Sequence, residues 1–570
     1  MPKAEDKMVK TCDSLLEMAE RRMRDEGMEE RIKKLSRLYD ISRKSDTDSQ
    51  LSEAMGDTYV KVNKIYPRVR VFVSSIFAKR PTIFCRPGRQ QDVDSAKKSE
   101  LFLNYWVRAK KASREIRLWL THAGLFHYGC MKLGMGREKN ALPWIEAVHP
   151  LSVRVDPTTE RFDPERGNWM SFRYCRTIAQ LRTSNLYDEK DVDALWAEVA
   201  DKDSDAKEET ASVFLWEHYL KQGKRVFVIT KPQDMETVLR NEEFTSVVGL
   251  PGRFLYFSPS FDRFFPVSVA EQILPQQTEI NKLRSQQLIH AERSNRFYAY
   301  KKNMIDPVDV PALESDEPLK FVPVNGEGNV RDAIGVVEGA NMTADVYQGE
   351  MRVENDMMEI WGVGSAQMGG QDRSPSKSAT ETAIIENNLR MRANDYQEVF
   401  EEGLEGVLQG VLSLAQERLS PELQVKITEG MWVPLSKEDI AGNVDVSISF
   451  GSTLPTDQQA EWARATEKFA MFKGDMFIDQ VKLRRSVLDA DPTIKDAGDW
   501  IINPMPQPGM APGMPPGMEP PPGMGMPPPG GEPMLGDPAA AANMAAMESV
   551  QNQQQPLSAG SDFRQIAGGF

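Results

Sequence analysis

The sequence predicts an α+β chain in which two long helices bracket a compact strand-and-turn segment. Three observations carry that prediction. Helical patterns run over 266–293 and 378–419. Short strand patterns fall at 82–86, 149–155, 213–220, 225–230 and 444–450. After about Asn503 the composition turns to Pro-Gly-Met repeats and then to alanine-, glutamine- and glycine-rich sequence, which buries too little surface to fold. At 570 residues the chain exceeds one compact core, and two to four domains are expected.

In chain order, 1–45 reads as charged helix, with Leu15, Leu16, Met18, Ala19, Met23, Ile32, Leu35, Leu38 and Tyr39 as apolar positions. Residues 58–79 form a second helix, with Pro67 marking an interruption. Helices follow at 92–107 and 113–126. Asp156-Pro157 and Asp163-Pro164 are turn signals. The acidic stretch 187–210 reads as an insertion or a solvated helix, and Lys221-Gln-Gly-Lys224 as the turn of a hairpin. Residues 295–339 are strands and turns, 342–361 is helical, and 362–377 is a flexible loop with four glycines. Helices are expected again at 457–472 and 478–489.

The first bracketing helix is unusually polar. From Gln276 to Arg293 only Ile280, Leu283, Leu288, Ile289 and Ala291 are apolar. So narrow a stripe points to stabilisation by neighbouring copies in a ring, with one face toward water. Ser268 with Glu271, and Ser378 with Glu381, stand at capping-box spacing. The second helix places Ile385, Leu389, Tyr396, Phe400, Leu404, Val407, Val411 and Leu414 at helical steps. Gly403, Gly406 and Gly410 each weaken it by about 1 kcal/mol relative to alanine and mark a bend or close packing.

The net charge of -14 argues against a tight nucleic-acid binder, though not against contact with DNA that slides. Cys12, Cys85, Cys130 and Cys175 are too scattered for a disulfide framework or a zinc site. The charged N-terminus predicts no secretory signal, and no apolar run of 18 residues predicts a membrane span. The string GxxxxGK[ST] is absent, and Gln367 stands where a GxGxxG pattern starting at Gly362 needs its last glycine. His122 and His127 are five apart, and His149, His218 and His290 are isolated, so structural roles are expected for all five. Glu381, Glu386, Asp395, Glu398, Glu401, Glu402 and Glu405 read as a solvated acidic face. Lining a channel, such a face would keep phosphates from sticking. Phe297, Tyr298 and Tyr300 lie among Arg296, Lys301 and Lys302, and read as packing residues of a strand rather than stacking platforms. No catalytic residue, cofactor or metal ligand is predicted.

This order of elements resembles that of the portal proteins of tailed bacteriophages, the head-to-tail connectors. The stretch Leu125-Phe-His-Tyr-Gly-Cys-Met-Lys-Leu-Gly134 is similar to the family's helix-to-strand passage. His149-Pro-Leu-Ser-Val-Arg-Val-Asp-Pro157 is similar to its turn, and Ser378-Ala-Thr-Glu-Thr-Ala383 to the start of its long helix. The resemblance implies a dodecameric ring at a capsid vertex that packages and ejects double-stranded DNA without being an enzyme. It implies an N-terminal wing at 1–265, stem helices at 266–295 and 342–361, and a clip at 296–341. A tunnel loop at 362–377, a long helix with wing strands at 378–455, a crown at 456–502 and a disordered tail at 503–570 complete it.

The implied partners are further copies of the chain, terminase, adaptor or tail proteins, capsid and scaffolding proteins, and DNA held weakly, with no membrane. The implied setting is the virion, and the host cytoplasm during assembly. Candidate DNA-facing residues are Gln367, Gln371, Arg373 and Lys377 in the loop and Lys282, Arg284, Gln286 and Arg293 on the first stem helix. A DNA-processing enzyme (terminase or nuclease component) and another virion protein (adaptor or scaffold) stand as alternatives.

Overall fold

The computed structural model describes residues 2–40 and 59–490, except 137–140, 185, 203–206, 208–209, 224, 234, 236, 245–247, 294–296, 309–310, 312–322, 326–328, 330–332, 338–343, 363–378, 420–422, 429–430, 449–457 and 476–479. The chain divides into units Met1–Gly498 and Asp499–Phe570. The second unit, and with it the Pro-Gly-Met tail, lies outside the described residues.

Gly27 adopts a left-handed φ of 62°, which glycine tolerates without steric cost. It splits the expected 1–45 helix into Pro2–Asp25 and Met28–Tyr39. Pro67 does not interrupt a helix. It sits in the first turn of Ile65–Ile76, where the missing N–H has no intrahelical acceptor to lose. Helices Val93–Ala109 and Ser113–Leu125 follow, and Gly129–Met135 opens a three-stranded antiparallel sheet. That strand lies between Pro143–Val148 and Gly252–Leu255.

A five-stranded antiparallel meander is inserted between those two outer strands. Its order is Val153–Val155, Trp169–Thr177, Ser212–Gln222, Arg225–Pro232 and Arg240–Phe244. The first strand is shorter than the sequence suggests, because Pro150–Ser152 forms a 3-10 turn first. Within the acidic stretch, helix Glu189–Lys202 buries Val192 and Leu195 against Ile178, Leu181 and Leu215, a small separate core.

The main core gathers on helix Ala379–Arg418. Phe400, Leu404, Val407, Leu408, Val411, Leu412 and Ala415 are fully buried along one face. Trp119 meets Phe400 with ring centroids 6.2 Å apart. A Cβ on Gly410 would stand 2.5 Å from Leu133 Cδ1, and one on Gly403 3.2 Å from Trp119, so both glycines permit close packing. Gly406 faces open space.

The acidic face of this helix is only partly solvated. Asp395, Glu398 and Glu402 are exposed. Glu401 is 7% exposed and accepts from Gln397 Nε2 at 2.6 Å. Glu405 accepts from Ile448 N at 2.8 Å. It thereby braces strand Val444–Ile448, which pairs with Ile83–Pro87 across the chain's length. Strands Phe297–Tyr300 and Ile334–Val337 pair antiparallel, as do Leu423–Thr428 and Met431–Leu435. Among the described residues no helix is long and apolar enough to cross a membrane.

Candidate functional site

The polar helix proves to be Leu274–Arg293, eight residues shorter at its start than expected. Ser268 does take up a turn: its hydroxyl accepts from Glu271 N at 3.3 Å and donates to Leu125 O at 2.8 Å. That turn opens the 3-10 segment Glu271–Ile273, and the α-helix begins only after it.

The polarity of this helix has an explanation within one chain, which corrects the expectation that other copies must supply its stabilisation. Gln277, Asn281 and Ser285, spaced four apart, are buried. They grip an extended segment of the same chain. Val60 N donates to Ser285 Oγ at 2.9 Å, Val62 N to Asn281 Oδ1 at 3.0 Å, and Lys64 N to Gln277 Oε1 at 3.1 Å. Gln277 Nε2 donates back to Val62 O at 2.6 Å. Four helical residues rise about 6 Å and two extended residues about 6.6 Å, so the two repeats stay in step. The side chains thus serve the segment as the edge of a neighbouring strand would.

Asn281→Leu keeps the branched shape but removes the acceptor of Val62 N and one of the two acceptors of Gln277 Nε2, which keeps its bond to Val62 O. It is expected to lower unfolding stability by about 2–3 kcal/mol. Chemical denaturation measures this, and a loss under about 0.5 kcal/mol would show that water replaces the ladder without penalty.

Helix Ala344–Trp361 runs beside the polar helix and buries Val353, Met357 and Trp361. Trp361 meets Phe72 edge-on at 6.1 Å. Arg284 Nη2 binds Glu350 Oε1 at 2.7 Å, Gln287 Nε2 reaches Glu350 Oε2 at 3.5 Å, and Lys64 pairs with Glu354. Of the four candidates predicted on the first helix, Lys282 and Gln286 share an exposed face. Arg284 is 45% exposed at its side chain but is turned to Glu350. Arg293 is the last residue of the helix, and its side chain lies outside the described ones. Gln367, Gln371, Arg373 and Lys377 also lie outside the described residues. The buried trio Gln277, Asn281 and Ser285 was missed, although its signal, a polar stripe at i, i+4, i+8, was present in the sequence.

Buried histidines anchor the approach to this helix. His127 Nδ1 donates to Pro266 O at 2.8 Å and lies 3.8 Å from Glu271, which also faces Arg31 at 3.4 Å. Burial pushes the His127 imidazole below its ordinary value, while the Glu271 carboxylate pulls the other way. His122 and His149, separate in sequence, meet with ring centroids 5.6 Å apart. Burial drives His122 down to about 3, and His149 adds to the effect.

A charged group is buried in the wall between the sheets. Lys132 pairs with Glu217, and Arg240 Nη1 approaches Glu217 at 3.4 Å. Lys132 Nζ also lies 4.8 Å from the Phe172 ring centroid. Burial would raise the Glu217 pKa, but the two cations outweigh it and hold the carboxyl below its ordinary value. Among the described residues no group of three histidine, cysteine or acidic side chains could hold a metal ion.

No curated protein matches the chain. Among solved structures it is similar to a chain from the neck of an empty GTA particle computed with C6 symmetry, at 9% identity and TM-score 0.39 over 77% of this chain and 93% of that one. It is also similar to a chain in the virion of a native gene transfer agent particle, at 9% identity and TM-score 0.37 over 77% and 92%. A chain from the neck of the native particle, computed with C12 symmetry, gives 10% identity and TM-score 0.37 over 74% and 88%. The family model of the phage SU10 portal protein matches residues 130–466, more than half of the 570, and the chain belongs to that family.

Proposed function

We propose that twelve copies of this portal protein enclose a channel at the capsid vertex, through which double-stranded DNA is packaged and later ejected. The observation that carries this reading is the portal family match over residues 130–466. On this reading the helix pair Leu274–Arg293 and Ala344–Trp361 forms the stem, and Phe297–Tyr300 with Ile334–Val337 belongs to the clip. Residues 1–265 and 378–455 build the wing, 456–502 the crown and 362–377 the tunnel loop, and 503–570 is a tail that the ring does not need. Terminase docks during packaging, and adaptor or tail proteins afterwards. Capsid and scaffolding proteins surround the ring, which assembles in the host cytoplasm.

The chain carries out no catalysis itself. A duplex must slide, so contacts to phosphate are few and weak. Lys282, Gln286 and Arg293 on the stem helix, with Gln367, Gln371, Arg373 and Lys377 in the loop, supply them. Arg284 contributes less, because Glu350 already neutralises it.

Electron microscopy of the purified chain is expected to show rings with a central hole wide enough for duplex DNA. Only monomers at micromolar concentration would count against the reading. Lys282→Glu with Gln286→Glu is expected to leave the rings intact and to reduce packaged DNA per particle about tenfold, by adding two like charges along the path of the phosphates. Rings of normal form that package normal amounts would remove these two residues from the channel wall.

A further inference from the structure

Charge is spread unevenly along this acidic chain. Residues 61–117 carry fifteen lysines and arginines against four aspartates and glutamates, while the whole chain has a net charge of -14. The excess is sharpest where helix Val93–Ala109 turns into helix Ser113–Leu125. Arg108, Lys110, Lys111, Arg114 and Arg117 are all exposed there. Between Glu100 and Glu138 the sequence offers one carboxylate, Glu115, and its Oε2 already accepts from Ala147 N at 3.1 Å.

The fold adds a sixth cation and holds several of them in place. Arg117 Nη2 donates to Ala78 O at 3.4 Å, and its guanidinium lies 5.6 Å from the Phe77 ring centroid. Asn104 Nδ2 donates to Ile83 O at 3.2 Å. These bonds tie the connection 78–83 to both helices and bring the exposed Arg80 to the corner. Arg108 Nε donates to Asn104 O at 3.2 Å. A carbonyl oxygen orients a guanidinium without cancelling its charge. Among the described residues none of the six forms an ion pair.

The turn carries a conformational cost. Lys111 has a φ of 51°, the only left-handed φ of a non-glycine among the described residues. Glycine is usual at this place just after a helix, where Lys110 N bonds to Trp106 O at 2.9 Å and Ala112 N to Val107 O at 3.2 Å. Lysine there is harder on the backbone and adds a cation to the corner.

We infer that this corner binds the phosphate backbone of duplex DNA, as a surface distinct from the stem. It shares no element with helices Leu274–Arg293 and Ala344–Trp361. The clefts beside Lys132 and beside Trp169 are lined by other residues. Six unpaired cations on an open helix corner suit a polymer of evenly spaced charges, which needs no enclosing wall. An acidic peptide would call for an apolar trough beside the charges. Ala109 and Leu118, the exposed apolar residues of 105–120, are too few to make one. The inference rests on the portal reading for the identity of the polyanion.

The test follows binding of a short fluorescent DNA duplex to the full chain by anisotropy over a range of salt concentrations. Lys110→Gln/Lys111→Asn is compared with Lys190→Gln/Lys207→Gln, which removes two exposed lysines from the acidic stretch and changes net charge equally. Asparagine tolerates the left-handed φ at 111. The first variant is expected to lower the slope of log K against log salt by about 2, so that raising salt from about 50 to 200 mM costs it about tenfold less affinity than it costs the native chain. The second variant should match the native chain.

An unchanged slope in the first variant, or an equal drop in both, would overturn the inference. So would polyglutamate that displaces the labelled duplex as well as unlabelled DNA does at equal charge. Microscopy of the same samples keeps the two readings apart. Rings whose slope ignores Lys110 and Lys111 leave the ring standing and remove the corner. Samples without rings that still show the drop sink the ring reading and keep the corner.

Discussion

Acidifying the solution from pH 6.5 to pH 4.5 is expected to remove about 5 kcal/mol of folding stability through two histidines alone. His122 is 7% exposed, with its pKa lowered to about 3, and His218 is 2% exposed, with its pKa lowered to about 4. Burial is the main cause for both, because water cannot reach the charged ring. The folded protein therefore keeps both rings neutral at a pH where the unfolded chain, titrating near 6.5, has already taken up two protons. Each unit of pH below 6.5 costs about 1.4 kcal/mol per ring, and nothing is lost above pH 7.

His127 and His149 are shifted in the same direction, which steepens the slope. Denaturation midpoints at the two pH values, for the native chain and for His122→Gln/His218→Gln, measure the effect. Glutamine retains hydrogen bonding, such as that between His218 Nδ1 and Ser171 Oγ at 2.7 Å, without titrating. An unchanged pH dependence in the double variant would refute this assignment.

Replacing Glu217 alone should be nearly as costly. Its side chain is 8% exposed, and that of its partner Lys132 is 11%. Glu217→Leu leaves the Lys132 ammonium buried among Phe172, Tyr174 and Tyr219 without a carboxylate. Such an uncompensated charge costs about 3–5 kcal/mol. The paired change Lys132→Met/Glu217→Leu should recover most of that loss, because it removes both desolvation penalties together. Arg240 tolerates the pair change, since Glu242 also binds it. Thermal melts of the single and double variants decide the matter. A double variant as unstable as the single would mean that shape, not charge, governs the site.

Local patterns made much of this fold legible in the sequence. The apolar steps through Phe400, Leu404, Val407 and Val411 describe a helix with one packed face, and that face is the one buried. The hairpin of Ser212–Gln222 and Arg225–Pro232 follows from a short turn in which Gly223 supplies a φ of 63°. Long-range pairing left no local trace. Nothing near Ile83–Pro87 announces Val444–Ile448 as its partner.

Polar burial was the other blind spot. A glutamate such as Glu401 reads as solvated until its neighbours are known, and Gln277, Asn281 and Ser285 read as surface for the same reason. At the candidate site, the exposed face with Lys282 and Gln286 was foreseeable from helical spacing. The capture of Arg284 by Glu350, 66 positions away by their numbers, was not.

The polar ladder also sets how the helix Leu274–Arg293 can move. Rotating it by one residue would swing Gln277, Asn281 and Ser285 away from Lys64, Val62 and Val60 together, and all three amides would lose their acceptors. A jump of a full turn would bring Ile273 or Ile289 into the sequence of teeth, and neither offers an oxygen. The helix is therefore indexed like a rack on a pinion with only one meshing position. A push along its axis has to carry residues 59–64 with it. From there it reaches helix Ile65–Ile76, whose Phe72 touches both Trp361 and Tyr396. A force on the polar helix is thereby conveyed to the long helix as displacement instead of being dissipated as slip.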